Sequence, residues 1–274
     1  MESRLPGTAV ATAAAVLLFS TLLTGCSDDE APVPAAESYP EVPEQLHPPR
    51  AGQFADPTGV PAGEPIDAVP IDQLPDPDWI QDASEATGIP ERALAAYAGA
   101  ALRAHQLHPG CGIGWNTLAG IGQVESHHGT YGGAEVDDDG RVDPPIVGVA
   151  LDGSPGLMEI PDTDGGELDG DDEFDRAVGP MQFIPTTWRT YALDGSRSGQ
   201  ADPHQYDDAA LTAASYLCQR GGELTTPEGF TDAVLAYNQS TEYLAQVAGA
   251  AHLYASAFEQ ETDEPATAEG FGAP

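Results

Sequence analysis

The side chain best placed for chemistry is Glu125, in the segment Gly120-Ile121-Gly122-Gln123-Val124-Glu125-Ser126-His127-His128-Gly129. Two later segments accompany it: Gly179-Pro180-Met181-Gln182-Phe183-Ile184-Pro185-Thr186-Thr187-Trp188, and Ala236-Tyr237-Asn238-Gln239-Ser240. A single carboxyl group can donate a proton and take it back. Breaking a glycosidic bond needs this, and the group can supply it near neutral pH only if its pKa is raised. Glu125 falls near the predicted end of a helix, where unpaired carbonyls carry partial negative charge, and apolar neighbours would add desolvation. Both effects favour the neutral acid. Gly120, Gly122 and Gly129 allow close backbone approach around it. The plainer role for a glutamate at such a place is a cap or an ion pair. Ordinary glycosidases use two carboxylates, but no second acid stands in a comparable motif. Glu173 and Asp175 are near the second segment in sequence only.

The elements that must position these residues read as helical. Ile80 to Thr87 is a short helix. Pro90 suits a first helical position, with Glu91 in the first turn. Leu94, Tyr97, Ala101 and Leu102 then recur at helical spacing until Pro109-Gly110. Asn116 or Thr117 is the expected cap of a helix running to about Ser126 or His127, with Gly129 as the stop. Asp207 or Asp208 would cap Ala209 to Arg220, closed by Gly221-Gly222. Pro227 opens Glu228 to Tyr237, and a long last helix is expected over about Thr241 to Glu259. Strand-like runs are scarce, Ile146 to Leu151 being the best. The expected fold class is mostly α, and about 180 residues suffice for a sizeable core.

The acid at a helix end, the Gly-Pro-Met-Gln-Phe turn and the late Tyr-Asn pair occur in that order. Together they resemble the bacterial lytic murein transglycosylases, in particular the membrane-bound transglycosylase B-like branch with a lysozyme-like domain. The resemblance spans about residues 78 to 260. It implies a lysozyme-like domain, here with a long acidic loop insertion, acting on the β-1,4 MurNAc-GlcNAc bond of peptidoglycan. It implies that Glu125 is catalytic, first as acid and then as base. The muramic N-acetyl group would steady the cationic intermediate, and the sugar's own tethered C6 hydroxyl would attack, leaving a 1,6-anhydro end. By the same resemblance Met181, Gln182 and Phe183 line the groove, with Gln182 offering amide hydrogen bonds. Tyr237 and Asn238 match the late motif, Tyr243 its trailing tyrosine, and Ser126 hydrogen-bonds near the acid. Met181, Phe183 and Tyr237 would also suit a plain core, and Trp188 reads as core. Two alternatives stay open: a muramidase that uses water, and a catalytically idle cell-wall-binding lipoprotein. The expected partners are peptidoglycan glycan strands and, through a lipid anchor, a membrane. A monomer is expected, with no required cofactor.

The rest of the chain bounds these readings. There are 45 acidic and 9 basic residues, so the formal charge is 9 − 45 = −36. That argues against nucleic-acid binding and against attraction to anionic lipid; solubility of an exported protein accounts for it. Residues 1–25 read as a lipoprotein signal peptide. Ala9 to Leu23 is almost wholly apolar or small but short for a membrane span. Leu23-Thr24-Gly25-Cys26 resembles a lipobox, which would leave Cys26 lipidated and the mature protein anchored to the cell membrane, facing the wall. The alternative is an ordinary secretory signal. Residues 26–77 read as a Pro/Ala/acidic linker, 78–260 as the catalytic domain and 261–274 as a flexible tail. Cys111 and Cys218 remain for a disulfide in an exported protein. It would close a loop of about 107 residues, worth roughly 4–5 kcal/mol in the chain-entropy model. Two buried free thiols are the alternative.

From Ala134 to Arg176 the chain is long for a minimal domain of this family, and rich in Gly and Asp. Counting from Asp162, Asp164 takes the third position of an EF-hand loop and Glu173 the twelfth. The fifth is Gly166, and the sixth is Glu167 instead of the invariant glycine. Asp162, Asp164 and Glu173 are therefore candidate calcium ligands, since some relatives in the family bind calcium in such a loop. A solvated acidic loop is the alternative. His127 and His128 lack zinc-type spacing, and no Gly-x-Ser-x-Gly elbow is found.

Overall fold

The computed structural model describes residues 41–51 and 68–263. The expected signal peptide, Cys26 and the tail beyond Asp263 lie outside the described residues. Seven helices carry the described fold: α1 (Pro77–Thr87), α2 (Glu91–Leu107), α3 (Trp115–Ser126), α4 (Pro185–Tyr191), α5 (Tyr206–Gly221), α6 (Pro227–Tyr237) and α7 (Thr241–Asp263). Between α3 and α4 lie four short strands, β1 (Glu135–Val136), β2 (Val142–Asp143), β3 (Val147–Ala150) and β4 (Arg176–Val178). They form two antiparallel pairs. Val136 faces Val142, and β3 meets β4 from Val147↔Val178 to Ala150↔Arg176 with a bulge between. The fold class is mostly α, as expected. Among the described residues no helix is long and apolar enough to cross a membrane.

Local chemistry sets the helix ends. The Asp76 carboxylate accepts from the N–H groups of Asp78 and Trp79 at the start of α1, Pro77 takes its first position, and Gly88 closes the helix in the left-handed region. Pro227 opens α6, where the Thr226 hydroxyl accepts from Gly229 N–H. At α5 the cap is Gln205, whose side-chain oxygen accepts from the N–H groups of Asp207 and Asp208. The two aspartates expected as caps lie inside the helix. Asp207 pairs with the Arg92 guanidinium, and Asp208 accepts from Ser196 and Asp202 N–H. Asn116 and Thr117, also expected as caps, lie within α3, which begins at Trp115.

Trp115, Leu118 and Ile121 of α3 are wholly buried. This helix packs most extensively on α7, while α2 packs on α5. Two glycines make that closeness possible. A Cβ on Gly120 would stand 2.8 Å from the Val247 carbonyl oxygen of α7, and one on Gly122 would collide with the Tyr97 hydroxyl of α2. Cys111 and Cys218 form a disulfide, joining the loop after α2 to the last turns of α5.

The domain begins earlier than residue 78. Val69, Ile71 and Leu74 are buried in the core. Residues 41–51 run along the start of α3: Trp115 N–H donates to Leu46 O at 3.0 Å, and the Gln45 side-chain oxygen accepts from Gly114 N–H and from the Thr117 hydroxyl, both at 2.8 Å. The Asn116 amide donates to Glu44 O and to Ala251 O. These parts of the expected linker therefore belong to the folded unit. Their prolines hide the fact, because they are held by backbone and amide hydrogen bonds more than by a periodic apolar face.

Candidate active site

Glu125 sits in the last turn of α3, half-buried. Its carboxyl accepts one hydrogen bond, from the Tyr243 hydroxyl at 2.5 Å. Burial pushes its pKa up from 4.5 to about 7, against the Tyr243 bond, which lowers it. No neighbouring charge contributes to that shift. Burial and the adjacent Glu125 keep the Tyr243 hydroxyl well above its ordinary pKa, so it stays a donor. The arrangement is an acid poised near neutrality with one fixed donor on one oxygen.

Three elements close around it. The turn 179–182 is pinched off by reciprocal backbone bonds between Val178 and Phe183. The Ser126 hydroxyl donates to Pro180 O at 2.7 Å and accepts from Gly129 N–H at 2.8 Å, stapling the end of α3 to this turn. The Tyr237 hydroxyl, at the end of α6, donates to Met181 O at 2.7 Å. The rings of Tyr237 and Tyr243 stack nearly parallel, 6.5 Å apart, and Phe183 packs on Tyr237 at 5.5 Å. The three motifs seen in sequence thus converge on one place.

Several expected substrate contacts have other duties. Ser126 is buried, and its hydroxyl is spent on the staple. Met181 is wholly buried and Phe183 nearly so; in this tight turn their apolar side chains point into the core, and they support the site instead of lining it. Gln182 has φ +48°, and its amide nitrogen donates to Gly179 O at 2.8 Å, bracing its own turn. Asn238 is exposed, with its side-chain oxygen accepting from Ser240 N–H ahead of α7. Trp188 is core, against Phe183.

Neither sequence-adjacent acid joins Glu125. Asp175 is wholly buried and accepts from Thr163 N–H, the Thr163 hydroxyl and the Thr186 hydroxyl. Glu173 is exposed. The carboxylates that do come together are Asp162, Asp164 and Asp175, with one oxygen of each within 4.8 Å of the others. Asp175 thus takes the place expected for Glu173. Counting along an EF-hand could not find it, because the chain returns alongside residues 160–162, where Asp162 N–H donates to Glu173 O and Asp175 N–H to Ile160 O, just ahead of β4. No histidine belongs to that cluster.

A buried polar chain behind the acid, Tyr206, Tyr97, His128, Tyr254 and Gln123, has no motif to announce it. Its only trace was the place of Tyr97 in the apolar pattern of α2.

Residues 175–231 match the Transglycosylase SLT domain family. This segment runs from Asp175, just before β4, through the 179–182 turn, α4 and α5 into α6. Glu125, Tyr237, Asn238 and Tyr243 lie outside it. Among solved structures, the chain is similar to the Escherichia coli lytic transglycosylase Slt35 in complex with bulgecin A, at 16% identity over 69% of this chain and 82% of that one, with a TM-score of 0.41. It is also similar to the Escherichia coli Slt35 structure in complex with calcium, at 17% identity over 67% and 76%, with a TM-score of 0.40. No curated protein matches.

Proposed function

We propose that the protein is a lysozyme-like lytic transglycosylase, of the membrane-bound transglycosylase B-like kind, that cleaves the β-1,4 MurNAc-GlcNAc bond of peptidoglycan. Glu125 protonates the leaving oxygen, then as a carboxylate takes the proton of the muramic C6 hydroxyl as that oxygen closes the 1,6-anhydro ring. The observation that carries this reading is Glu125 itself: a carboxyl raised to about 7 by burial, with a single phenol donor and no charge partner. A protein nucleophile would call for a second carboxylate close by; an intramolecular hydroxyl needs none and has the advantage of a tethered reactant. The transglycosylase match over 175–231 supports the same assignment. Asn238 and the half-buried Tyr237 are the side chains we assign to sugar contact, with Gln182 contributing through its amide oxygen and Tyr243 acting at the substrate through its hydroxyl on Glu125.

The test is digestion of purified peptidoglycan by the full chain in heavy-oxygen water, read by mass spectrometry. Anhydro products lighter by one water and free of label are expected. Label in the muramic terminus would assign a muramidase, and intact glycan would leave a wall-binding protein.

The same reading extends to placement and ions. Cys26 would carry the lipid that holds a monomeric protein at the membrane, facing the wall; Cys26→Ala should release it from the membrane fraction. For calcium, the oxygens of Asp162, Asp164 and Asp175 suit a hard cation, since oxygens across a calcium ion stand about 5 Å apart. Such an ion would brace the loop, and no step of the reaction uses it.

A further inference from the structure

The last turn of α3 ends in an unusual way. His127 N–H donates to Gln123 O, the last i→i−4 bond of the helix, and His128 N–H reaches back to Gly122 O across the left-handed His127. Glycine normally takes that position. Here His127 has φ +50° and His128 φ +58°, and each costs about 1 kcal/mol or more in that region. Something must hold them there, and the holder is visible. His128 is buried, with Nδ1 at 3.0 Å from the Tyr97 hydroxyl and Nε2 at 2.9 Å from the Tyr254 hydroxyl. Tyr97 meets the Tyr206 hydroxyl at 2.5 Å, and Tyr254 donates to the Gln123 side-chain oxygen at 3.2 Å.

With the Gln123 side-chain oxygen as the acceptor facing Tyr254, these contacts assign the protons along the chain. Each phenol has one hydrogen. Tyr254 gives its hydrogen to Gln123, so it accepts from Nε2–H of His128. Nδ1 is then the acceptor for Tyr97, and Tyr97 accepts from Tyr206. The chain runs Tyr206 to Tyr97 to His128 to Tyr254 to Gln123, and it requires a neutral imidazole protonated on Nε2. Burial holds this ring well below its usual pKa, at about 4. Tyr254 bonds Gln123, two residues before Glu125, and His128, three residues after it. It stands on α7, the helix that also supplies Tyr243 to the Glu125 carboxyl.

We propose that His128 and Tyr254 are positioning residues. They clamp the turn carrying Glu125 from both sides onto α7, and so hold the carboxyl against Tyr243 and away from water. The inference rests on Glu125 being the acid. Its readout does not, because the titration of Glu125 is measurable without substrate.

The experiment compares the full-length wild type with Tyr254→Phe, His128→Ala, His128→Asn and Tyr206→Phe. Glu125 is followed by carbon NMR of protein labelled at the glutamate carboxyl and assigned with Glu125→Gln. In Tyr254→Phe and His128→Ala the Glu125 titration moves toward that of an ordinary glutamate as the turn loosens. Their kcat on peptidoglycan falls by roughly ten- to a hundredfold, the scale of a small misplacement of a reacting group, while KM stays within about twofold. His128→Asn, which keeps an acceptor and a donor, recovers part of both, and Tyr206→Phe at the far end has the least effect. If His128→Ala does not fold, Tyr254→Phe still decides, since it removes one oxygen. Unchanged Glu125 titration in a folded Tyr254→Phe protein overturns the proposal, as does a loss confined to KM. A wild type that leaves peptidoglycan intact overturns the transglycosylase reading instead, and the NMR result still stands or falls alone.

Discussion

Two settings of the same functional group divide this molecule. In the loop 162–173, Asp162 accepts from the N–H groups of Asp164, Gly165 and Gly166, and Asp171 from those of Glu173 and Phe174 with Arg176 beside it. Backbone donors lead the causes that hold both carboxyls below the usual range. Glu125 has no backbone donor and one phenol, and burial raises it to about 7. Thus the count of donors against the loss of water decides whether a carboxyl here is a structural anion or a usable acid. A chain with 45 acidic residues can therefore depend on a single one for proton transfer.

The largest expected effect comes from removing that one. Glu125→Gln should lower turnover by roughly two or more orders of magnitude, since an amide cannot deliver the proton. Stability gives a second check. The folded-state pKa of Glu125, about 7, lies above its unpaired value of 4.5. The wild type is therefore favoured fully below pH 4.5 and loses that stability as pH rises through 7. Glu125→Gln should gain on the wild type across that window in denaturant melts. Near-normal turnover by the folded variant would remove the contrast between the two settings.

Asp175→Ala tests the opposite setting. It strands Thr163 N–H and frees the loop from Thr186 at the start of α4. The expected loss is about 1.5–3 kcal/mol of stability, the scale of a hydrogen bond to a carboxylate, with Glu125 still titrating near 7. A loss of turnover matching that of Glu125→Gln in a folded protein would make Asp175 a second acid and overturn the single-acid reading.

Tyr243→Phe sharpens the comparison from the side of the acid. The Tyr243 bond lowers the pKa of Glu125, so its removal should raise it. The acid then stays protonated to higher pH, and the falling limb of the rate profile moves above 7. Below the limb, turnover should change only about two- to threefold, the scale of roughly 0.5 kcal/mol for a single hydrogen bond. A limb that moves down would mean that water, and not the phenol, sets the environment of the carboxyl.

How much of this was legible in the sequence follows from what each residue type announces. Pro227, the Gly88 stop and Gly221-Gly222 punctuate helices, and those helices stand close to where they were expected. The helix α4 has seven residues and begins at the last proline of the run Pro180-Met181-Gln182-Phe183-Ile184-Pro185, and β1, β2 and β4 have two or three residues each. Neither length can show a period. Glu125 and Tyr243, which the motifs single out, stand in hydrogen-bond contact. That Met181 and Ser126 face inward was not legible, because a turn's direction depends on what packs behind it. The left-handed histidines left no mark, since only glycine advertises positive φ. The early start of the domain was hidden by a Pro-rich composition.

The smallest effect concerns the metal ligands, where the sequence count and the spatial cluster disagree. The count along an EF-hand names Glu173; the cluster names Asp175, with Asp162 and Asp164 common to both. If calcium braces this loop, titrating it into the full chain should raise Tm by mass action. The gain is about 0.4 kcal/mol at a free calcium concentration equal to the dissociation constant, from the logarithm of one plus that ratio. Asp164→Asn removes one cluster carboxylate and should abolish the rise. Glu173→Gln should leave it as in wild type, because the exposed Glu173 side chain stands outside the cluster. Loss of the rise in Glu173→Gln would restore the EF-hand order of ligands and require the loop to rearrange around the ion. A wild type with no rise at all would leave the loop as a solvated acidic segment held by its own backbone donors. Those donors already supply Asp162 and Asp171 with the stabilisation an ion would otherwise bring, which is why the calcium effect is expected to be the least of the four.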